Sequence, residues 1–558
     1  MERTRAILSG QSMWSALLGA LLLLLFGTSV ALVPIRGDND CWWHVKTGKY
    51  IAENGLPHND VFAFTAEEYE WHNHEWVTQL AMWKAFRLGE SWGLGGWRMV
   101  TVAKTGAILL ACLILYFLAG RLSRNWWIAL LVASIALAVG RRTFYPRPPL
   151  VTNVLLAAEI LLITGIHEKW WSRKWLLALP PMFAAWSNLH GGWMAGIVVG
   201  AAYAGADILY ALPLPEKAKR LIHPSPEPVP WKWWVPVGLA CVVATWANPF
   251  GWQLYAMPGR VLGDKALVSS LGELLPPDWR FMQIFLSTMV LLLATMVVLA
   301  AKRRLPLRLA EWAIWAFFLW QGVRHVRHLL LYGVMAVPLM TRVAMEAAAL
   351  ARGNDEAPAR AAKVGACVLL LALAVQGATL RNWPEGLSYP RRNALFAEYE
   401  QGYLPWDFPA EQCDFIEAAV LEGRMFNENH YAGYLIWRFS PETHKVFSDP
   451  RFDIFGGAIW RQEVIVINAL TPPVDSGLLP WRGILEEWDI QWMLIKGTSP
   501  LAATLDGEKD WVLAANWPPP AEYLPHWQIW IRNTPDNAAM IARTRRTFER
   551  RYGVRVPQ

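Results

Sequence analysis

The chain has 558 residues, of which 54% are hydrophobic, and its formal net charge is +7. This composition excludes an ordinary water-soluble enzyme, because many apolar runs approach or exceed the ~18 residues that predict a transmembrane helix. The chain contains 35 tryptophans, and this residue type is enriched at the headgroup level of a bilayer. The sequence therefore predicts a multi-pass protein surrounded by membrane lipids. Nucleic-acid binding is excluded, because no basic-aromatic module accompanies the positive charge.

The apolar runs predict a mainly α, polytopic helical fold with about eleven transmembrane helices. The first run follows a short charged segment, and we interpret it as a retained helix because it is long for a signal peptide. In chain order the predicted spans are Met13–Val33, Trp97–Ala119, Trp126–Val139, Pro149–Ile166, Trp175–Trp186, Trp193–Leu212, Trp233–Trp246, Phe281–Ala301, Leu309–Val323, Leu329–Val343 and Val364–Leu380.

Lys and Arg are concentrated in alternate loops, which places those loops and the N-terminus in the cytoplasm. An odd number of spans then places the C-terminal tail in the periplasm or the extracellular space. We predict a transmembrane domain at 1–380, with a long first outer loop at 34–96, and a small extracytoplasmic α/β domain at 381–558. The tail has a helix-like run at Glu411–Glu422 and strand-like runs at Lys445–Phe447, Gln491–Lys496 and Gln528–Arg532.

An unusual acidic stretch directly follows the first span. Asp38 and Asp40 flank Asn39, and a Trp pair and His44 come next. Charge at a membrane boundary is unfavourable unless it is solvated or paired. Paired carboxylates fit two roles: general base for an acceptor hydroxyl, or oxygen ligands of a divalent cation such as Mg or Mn. Asp38, Asp40 and His44 are the candidate catalytic residues, and the two aspartates are also the candidate metal ligands.

A second polar group lies later in the same loop. His72, His74 and Glu75 stand between Trp71 and Trp76, directly before an apolar stretch with helical spacing. Zinc binding is one interpretation, although the histidines lack helical i, i+4 spacing. Hydrogen-bonded histidines packed between tryptophans are the other. We treat these residues as a candidate acceptor or loop site.

A third polar group follows several other spans, in loops predicted to lie outside, where arginine is normally scarce. Guanidinium groups bind phosphate bidentately and imidazoles donate hydrogen bonds, so a shared site for a lipid-linked phosphate or pyrophosphate is one interpretation. The alternative is that each residue pairs locally or extends to the interface. The candidate donor phosphate-binding residues are Arg142, Tyr145, Arg147, His190, Arg324, His325, Arg327 and His328.

Several motifs resemble the large bacterial group related to protein O-mannosyltransferases and lipid A aminoarabinose transferases, a family 39-like group with the GT-C fold of integral-membrane glycosyltransferases. In the first outer loop the motifs are D-N-D-C-W-W-H-V-K-T-G-K-Y-I, P-H-N-D-V-F-A-F-T and W-H-N-H-E-W. Between later spans they are R-P-P-L-V-T, N-L-H-G-G, N-P-F-G-W and R-H-V-R-H. In the tail they are N-E-N-H-Y-A-G-Y-L-I-W and V-F-S-D-P-R-F-D-I-F-G.

The resemblance implies a polyprenyl-phosphate sugar donor, a glycan, lipid or protein acceptor, and inversion at the anomeric carbon. Together with the side of the membrane predicted from the loop charges, it leads us to expect a reaction on the outer face of a bacterial inner (plasma) membrane. By position, Asp40 is then the candidate base and Asp38 its partner. The alternative is a non-catalytic lipid- or glycan-binding membrane protein, or a transporter, on the same scaffold, because a fold alone does not fix function.

Overall fold

The computed structural model describes residues 10–33, 35, 38–222, 228–256, 258–259, 263–306, 308–352, 408–517 and 526–556. The predicted span Val364–Leu380 and the predicted domain boundary at residue 380 lie outside these ranges. In chain order the α-helices up to residue 352 are α1 (Gly10–Ala31), α2 (Asp40–Asn54), α3 (Trp76–Ser91), α4 (Gly96–Ser123), α5 (Trp126–Gly140), α6 (Pro149–His167), α7 (Leu179–Leu189), α8 (Trp193–Ala211), α9 (Glu216–Ile222), α10 (Trp231–Ala244), α11 (Lys265–Ser270), α12 (Trp279–Ala301), α13 (Leu309–Arg324), α14 (Leu329–Met335) and α15 (Val337–Arg352).

Five helices of the described chain, α1, α4, α6, α8 and α12, are long and apolar enough to cross a membrane. A sixth span results if Val326–Met335 and Val337–Leu350, which meet at a 52° bend, are counted together. The other predicted spans within the described ranges coincide with shorter helices. For example, α5 has 15 residues, a rise of about 22 Å against the ~30 Å of a hydrocarbon core. The molecule is a multi-pass membrane protein, but the predicted count of eleven is not confirmed.

Local sequence signals explain where several of these helices begin. Asn125 caps α5, because its side chain accepts hydrogen bonds from the backbone N–H groups of Trp127 and Ile128 at 3.0 and 3.3 Å. Pro149 occupies the first position of α6, where a missing N–H has no consequence. Helix α4 then packs against both α5 and α6, and all three helices contribute to a continuous apolar core.

The C-terminal part contains a four-stranded sheet with helices around it. Its elements are α16 (Ala410–Ala419), β1 (Arg424–Asn427), α17 (Ala432–Arg438), α18 (Phe452–Phe455), α19 (Ala458–Ile467), α20 (Trp481–Glu487), β2 (Ile490–Lys496), α21 (Pro500–Leu505), β3 (Trp511–Asn516), β4 (Trp527–Arg532) and α22 (Ala538–Tyr552). The strand order is β1-β2-β4-β3; β1 and β2 are parallel, and the other pairs are antiparallel. Strand β2 is buried along most of its length, as expected for a continuous apolar run in the middle of a sheet.

Two of the three strand-like runs in the tail are confirmed by β2 and β4. The third, Lys445–Phe447, does not form a strand. Val446 makes only an isolated parallel bridge with Ala63, because its partner is a loop rather than another strand.

The chain divides into two compact units. The membrane unit comprises Met1–Pro34, Leu88–Trp252 and Ser269–Ala397, and it contains all the membrane-capable helices of the described chain. The α/β unit comprises Ile35–Arg87, Gln253–Val268 and Glu398–Gln558. Most of the predicted first outer loop therefore folds together with the C-terminal part of the chain.

Candidate active site

The acidic motif lies at the N-terminus of α2, in the α/β unit. Asp40 is the first residue of the helix, where the positive end of the helix dipole stabilises a carboxylate. Asp38 is buried, and its Oδ1 accepts a hydrogen bond from the Asp40 backbone N–H at 3.2 Å. Asn39 donates from Nδ2 to the Asn429 carbonyl at 2.9 Å and accepts at Oδ1 from the Tyr434 N–H at 3.3 Å. The motif is thus held against the C-terminal part of its own unit, with Asp40 half-buried.

Two glycines permit this close packing. A Cβ at Gly433 would lie 1.9 Å from the carbonyl oxygen of Asn39, and a Cβ at Gly48 would lie 2.0 Å from that of Gln79. Both contacts are with backbone atoms, which side-chain rotation cannot relieve. The glycines therefore let α17 approach the acidic motif and let α2 approach α3.

His44 is buried one turn along α2 from Asp40. Its Nδ1 lies 3.2 Å from Gln79 Nε2 and 3.6 Å from Glu75 Oε2. The other carboxylate oxygen of Glu75 lies 3.6 Å from His74 Nε2, whereas His72 faces a different carboxylate. The structure therefore brings the predicted catalytic His44 together with Glu75 and His74 and separates His72 from them.

In the described ranges, no three His, Cys, Asp or Glu side chains are grouped so as to hold a metal ion. Asp38 and Asp40 supply at most two carboxylate ligands, so Mg²⁺ bound there would take its remaining ligands from water or a substrate phosphate. The described side chains do not form a metal site by themselves.

A cluster that the sequence did not single out lies beside this motif, at the carboxyl ends of the parallel strands β1 and β2. The Lys496 backbone N–H, at the end of β2, donates to Glu428 Oε1 at 3.3 Å. His430 Nδ1 lies 3.3 Å from Glu428 Oε2, and its Nε2 contacts the Lys496 ammonium group. Burial lowers the pKa of His430 to about 3, and Lys496 acts in the same direction. Ligands in open α/β sheets bind outside the carboxyl ends of parallel strands, so this edge is a candidate acceptor site.

A fully buried ion triad fixes the first outer loop to the C-terminal part of the α/β unit. Arg451 donates from Nε and Nη2 to the two carboxylate oxygens of Asp449, at 2.9 and 2.7 Å, and also pairs with Asp60. Its guanidinium carbon lies 5.1 Å from the ring centroid of Phe62 and 4.8 Å from that of Trp71. Asp60 and Arg451 belong to motifs that carry the family resemblance, but their pairing is visible only in the fold.

In the membrane unit, the structure brings together three of the predicted phosphate-binding residues. Arg147 Nη1 lies 3.3 Å from Glu273 Oε2, and Arg327 Nη1 lies 3.1 Å from Glu273 Oε1. The Arg147 guanidinium also lies over the Tyr145 ring, 5.2 Å from its centroid. Glu273 was not predicted; it is one of three acidic residues in the predicted outer loop between Trp246 and Phe281, and nothing in the sequence set it apart from Asp264 and Asp278.

His190 lies near the same helix end as Arg147, because it contacts Thr152 in the first turn of α6. Trp186 Nε1 donates to Thr152 Oγ1 at 3.0 Å, and the Thr152 hydroxyl lies 2.8 Å from His190 Nδ1. The Gly192 backbone N–H donates to the same Nδ1 at 2.9 Å. Since Nδ1 accepts, the neutral imidazole carries its proton on Nε2, the form that donates to a phosphate oxygen.

The remaining predicted residues are distributed around this group. The rings of His325 and His328 meet edge to face, with centroids 5.3 Å apart, and His325 Nδ1 donates to the Leu274 carbonyl at 2.6 Å. Arg324 is exposed at the end of α13. The backbone of Arg142 lies in a short 3₁₀ turn, and its side chain is outside the described part of the structure. We refer to Arg147, His190 and Arg327 together as the phosphate cluster.

A second polar cluster lies at the other end of α6. His167, the last residue of that helix, lies 2.9 Å from Asp207. Arg342 donates from Nε to both oxygens of Glu311 at 2.8 Å and from Nη2 to Glu168 at 2.9 Å. These pairs join α15 to α13 and to the end of α6. A helix of 19 residues rises about 28 Å, so they are remote from the phosphate cluster.

The overall structure is similar to solved membrane transferases, although no protein-family model and no curated protein matches the sequence. The Archaeoglobus fulgidus oligosaccharyltransferase tethered with an acceptor peptide aligns with TM-score 0.56 at 11% identity, over 92% of this chain and 74% of that chain. AglB from the same organism, in complex with an inhibitory peptide and a dolichol-phosphate, aligns with TM-score 0.56 at 10% identity, over 87% and 70%.

ArnT from Cupriavidus metallidurans, bound to undecaprenyl phosphate, aligns with TM-score 0.50 at 13% identity, over 93% of this chain and 98% of that chain. These proteins are glycosyltransferases with the GT-C fold, so the predicted GT-C-like fold is confirmed. At these identities the similarity establishes the fold and leaves the reaction to be argued from the residues.

Proposed function

We propose that this protein is an inverting membrane glycosyltransferase that moves a sugar from a polyprenyl-phosphate donor to a glycan, lipid or protein acceptor. The observation that carries the proposal is the phosphate cluster. Two arginines and an Nε2–H imidazole are held at one end of the membrane unit, in a GT-C-like fold. We propose further that the reaction takes place on the outer face of a bacterial inner membrane, and that the chain has about eleven spans and a cytoplasmic N-terminus, as its apolar runs and loop charges predict.

In the proposed reaction, the Asp40 carboxylate takes the proton of an acceptor hydroxyl. The acceptor oxygen forms a bond to the anomeric carbon from the face opposite the phosphate, and the bond from that carbon to the phosphate oxygen breaks. The departing polyprenyl phosphate keeps the electron pair, and the phosphate cluster stabilises its negative charge. Asp38 positions the base, because its carboxylate accepts the Asp40 N–H.

The α/β unit supplies the acceptor side of this proposal. Glu428 and His430 stand at the carboxyl edge of the sheet, and Asn429 between them contacts the acidic motif through Asn39. A neutral imidazole and a carboxylate suit hydrogen bonds with the hydroxyl groups of a sugar. Glu75, which lies between His44 and His74, is a further candidate for contacts with the acceptor.

The deciding experiment compares lipid-linked sugars and glycoconjugates, by mass spectrometry, in a deletion strain complemented with wild-type protein or with Asp40→Asn. We expect the variant to fold normally, to accumulate the donor as the deletion does, and to lose about 10²–10⁴-fold in turnover. Glu53→Gln is the matched control, because Glu53 is an exposed carboxylate on the same helix. Wild-type turnover by Asp40→Asn would refute the assignment. A deletion that changes no glycoconjugate would favour the non-catalytic binding protein.

A further inference from the structure

Glu273 joins the two arginines of the phosphate cluster. Its Oε2 lies 3.3 Å from Arg147 Nη1 and its Oε1 lies 3.1 Å from Arg327 Nη1. Each carboxylate oxygen therefore contacts one guanidinium group. Two oxygens of a phosphate would make the same pair of contacts. The side chain of Glu273 thus holds the position and the charge that a phosphate ligand would bring to these arginines.

The backbone of the Glu273 loop is held independently of this carboxylate. His325 Nδ1 donates to the Leu274 carbonyl at 2.6 Å, and the Val326 N–H donates to the Leu275 carbonyl at 3.1 Å. These bonds fix the loop to the segment that carries Arg327. The carboxylate can therefore rotate away from the arginines while the loop stays in place.

The two ion pairs of Glu273 are weak enough for a phosphate group to replace the carboxylate. The side chains of Glu273 and Arg327 are 47% and 45% exposed, and partly exposed pairs of this kind are weak. Burial raises the pKa of Glu273, but Arg327 and Arg147 outweigh burial and the net pKa is lowered, so the group is an anion at neutral pH. The donor phosphodiester offers one negative charge and two non-bridging oxygens to the same guanidinium groups, and the product phosphate offers a third oxygen and more charge.

We propose that the Glu273 carboxylate competes with the donor phosphate for Arg147 and Arg327. In the absence of donor it holds both guanidinium groups in place, and the donor phosphate displaces it. After the reaction it pairs with the arginines again and so favours release of the product. The inference rests on the proposed function, because it assumes that these arginines bind a polyprenyl phosphate. No covalent step is involved. The exchange replaces one anion by another on the same two cations.

The test measures binding of undecaprenyl phosphate to the purified full-length protein in lipid nanodiscs. Glu273→Gln removes the charge and keeps the shape of the side chain. We expect it to bind undecaprenyl phosphate roughly two- to thirty-fold more tightly than wild type, mainly through slower dissociation. Glu273→Asp keeps the charge and should stay close to wild type. Glu216→Gln, a carboxylate-to-amide change at an exposed site in the membrane unit, should also stay close to wild type.

Two further ligands identify the part of the lipid that is recognised. Undecaprenol lacks the phosphate and should bind equally to wild type and Glu273→Gln. Inorganic phosphate lacks the chain and should bind weakly, with the same preference for Glu273→Gln. Raising the salt concentration should reduce the difference between the two proteins, because the competing ion pairs are partly exposed.

The outcomes separate this inference from the proposed function. If wild type prefers undecaprenyl phosphate to undecaprenol and Arg147→Ala weakens binding, but Glu273→Gln binds equally or less tightly, the competitor role is wrong and the donor site stands. If wild type shows no preference for the phosphate and Arg147→Ala changes nothing, the donor site itself is wrong. Unchanged thermal midpoints without ligand confirm that the variants are folded.

Discussion

Replacing Arg451 by methionine tests how the first outer loop is attached within the α/β unit. Arg451, Asp60 and Asp449 are fully buried, and the guanidinium group pairs with both carboxylates. Methionine keeps much of the length and the contacts with the flanking aromatic rings, but it leaves two buried carboxylates without their cation. Removing one partner of a buried pair is destabilising by about 3 to 5 kcal/mol, so we expect a loss of at least this size.

The effect should be local, and hydrogen–deuterium exchange of the full-length protein measures it. The Ala63 N–H donates to Asp60 Oδ2 at 2.8 Å, and the Val446 N–H donates to the Phe62 carbonyl at 3.0 Å. Opening that becomes easier by about 3 to 5 kcal/mol speeds exchange of these amides by about two to four powers of ten. Amides in the transmembrane helices should keep their wild-type protection.

Arg461→Met is the matched control, since Arg461 also pairs with an aspartate, Asp264, but is 42% exposed. A surface pair contributes about 0–1 kcal/mol, so exchange should change less than tenfold. Asp60→Asn should be milder than Arg451→Met, because burial raises the pKa of Asp60 despite the neighbouring Arg451. Unchanged exchange around Ala63 in Arg451→Met would show that the triad does not hold the loop.

Three further predictions concern other buried positions. Burial raises the pKa of Glu463 to about 8, so stability should fall as pH rises from about 4.5 to about 8, by up to ~1.4 kcal/mol per unit. Glu463→Gln should remove that slope in thermal unfolding measured across this range; an unchanged slope would exclude Glu463 as its source. Gly48→Ala should destabilise the α/β unit, because its Cβ would meet the Gln79 carbonyl oxygen at 2.0 Å; a wild-type thermal midpoint would contradict this packing. Arg342→Met should lower the thermal midpoint of the whole protein, because it removes the Nε–H group that donates to both oxygens of the buried Glu311. Arg303→Met, at an exposed site, should not.

The class of the protein and most of its helices could be predicted from the amino-acid sequence. Long apolar runs can bury their backbone polar groups in a bilayer only as helices, so their positions follow from composition and length. The strands β2 and β4 followed from short runs rich in branched and aromatic residues. The GT-C-like fold followed from motifs spread along the chain. The number of transmembrane spans could not be predicted in the same way, because a short apolar helix can either cross the membrane or pack within a helix bundle.

Which polar residues contact one another could not be predicted from the sequence and is visible only in the fold. Asp38 and Asp40 stand out in the sequence, but their attachment to Asn429 and Tyr434 through Asn39 depends on contacts between distant parts of the chain. The position of Glu273 between Arg147 and Arg327 likewise depends on contacts between distant parts of the chain. Hydrophobic periodicity in the sequence identifies the buried face of a single helix or strand, whereas ion pairs depend on how separate elements pack. The partners of the charged groups are therefore visible only in the folded chain.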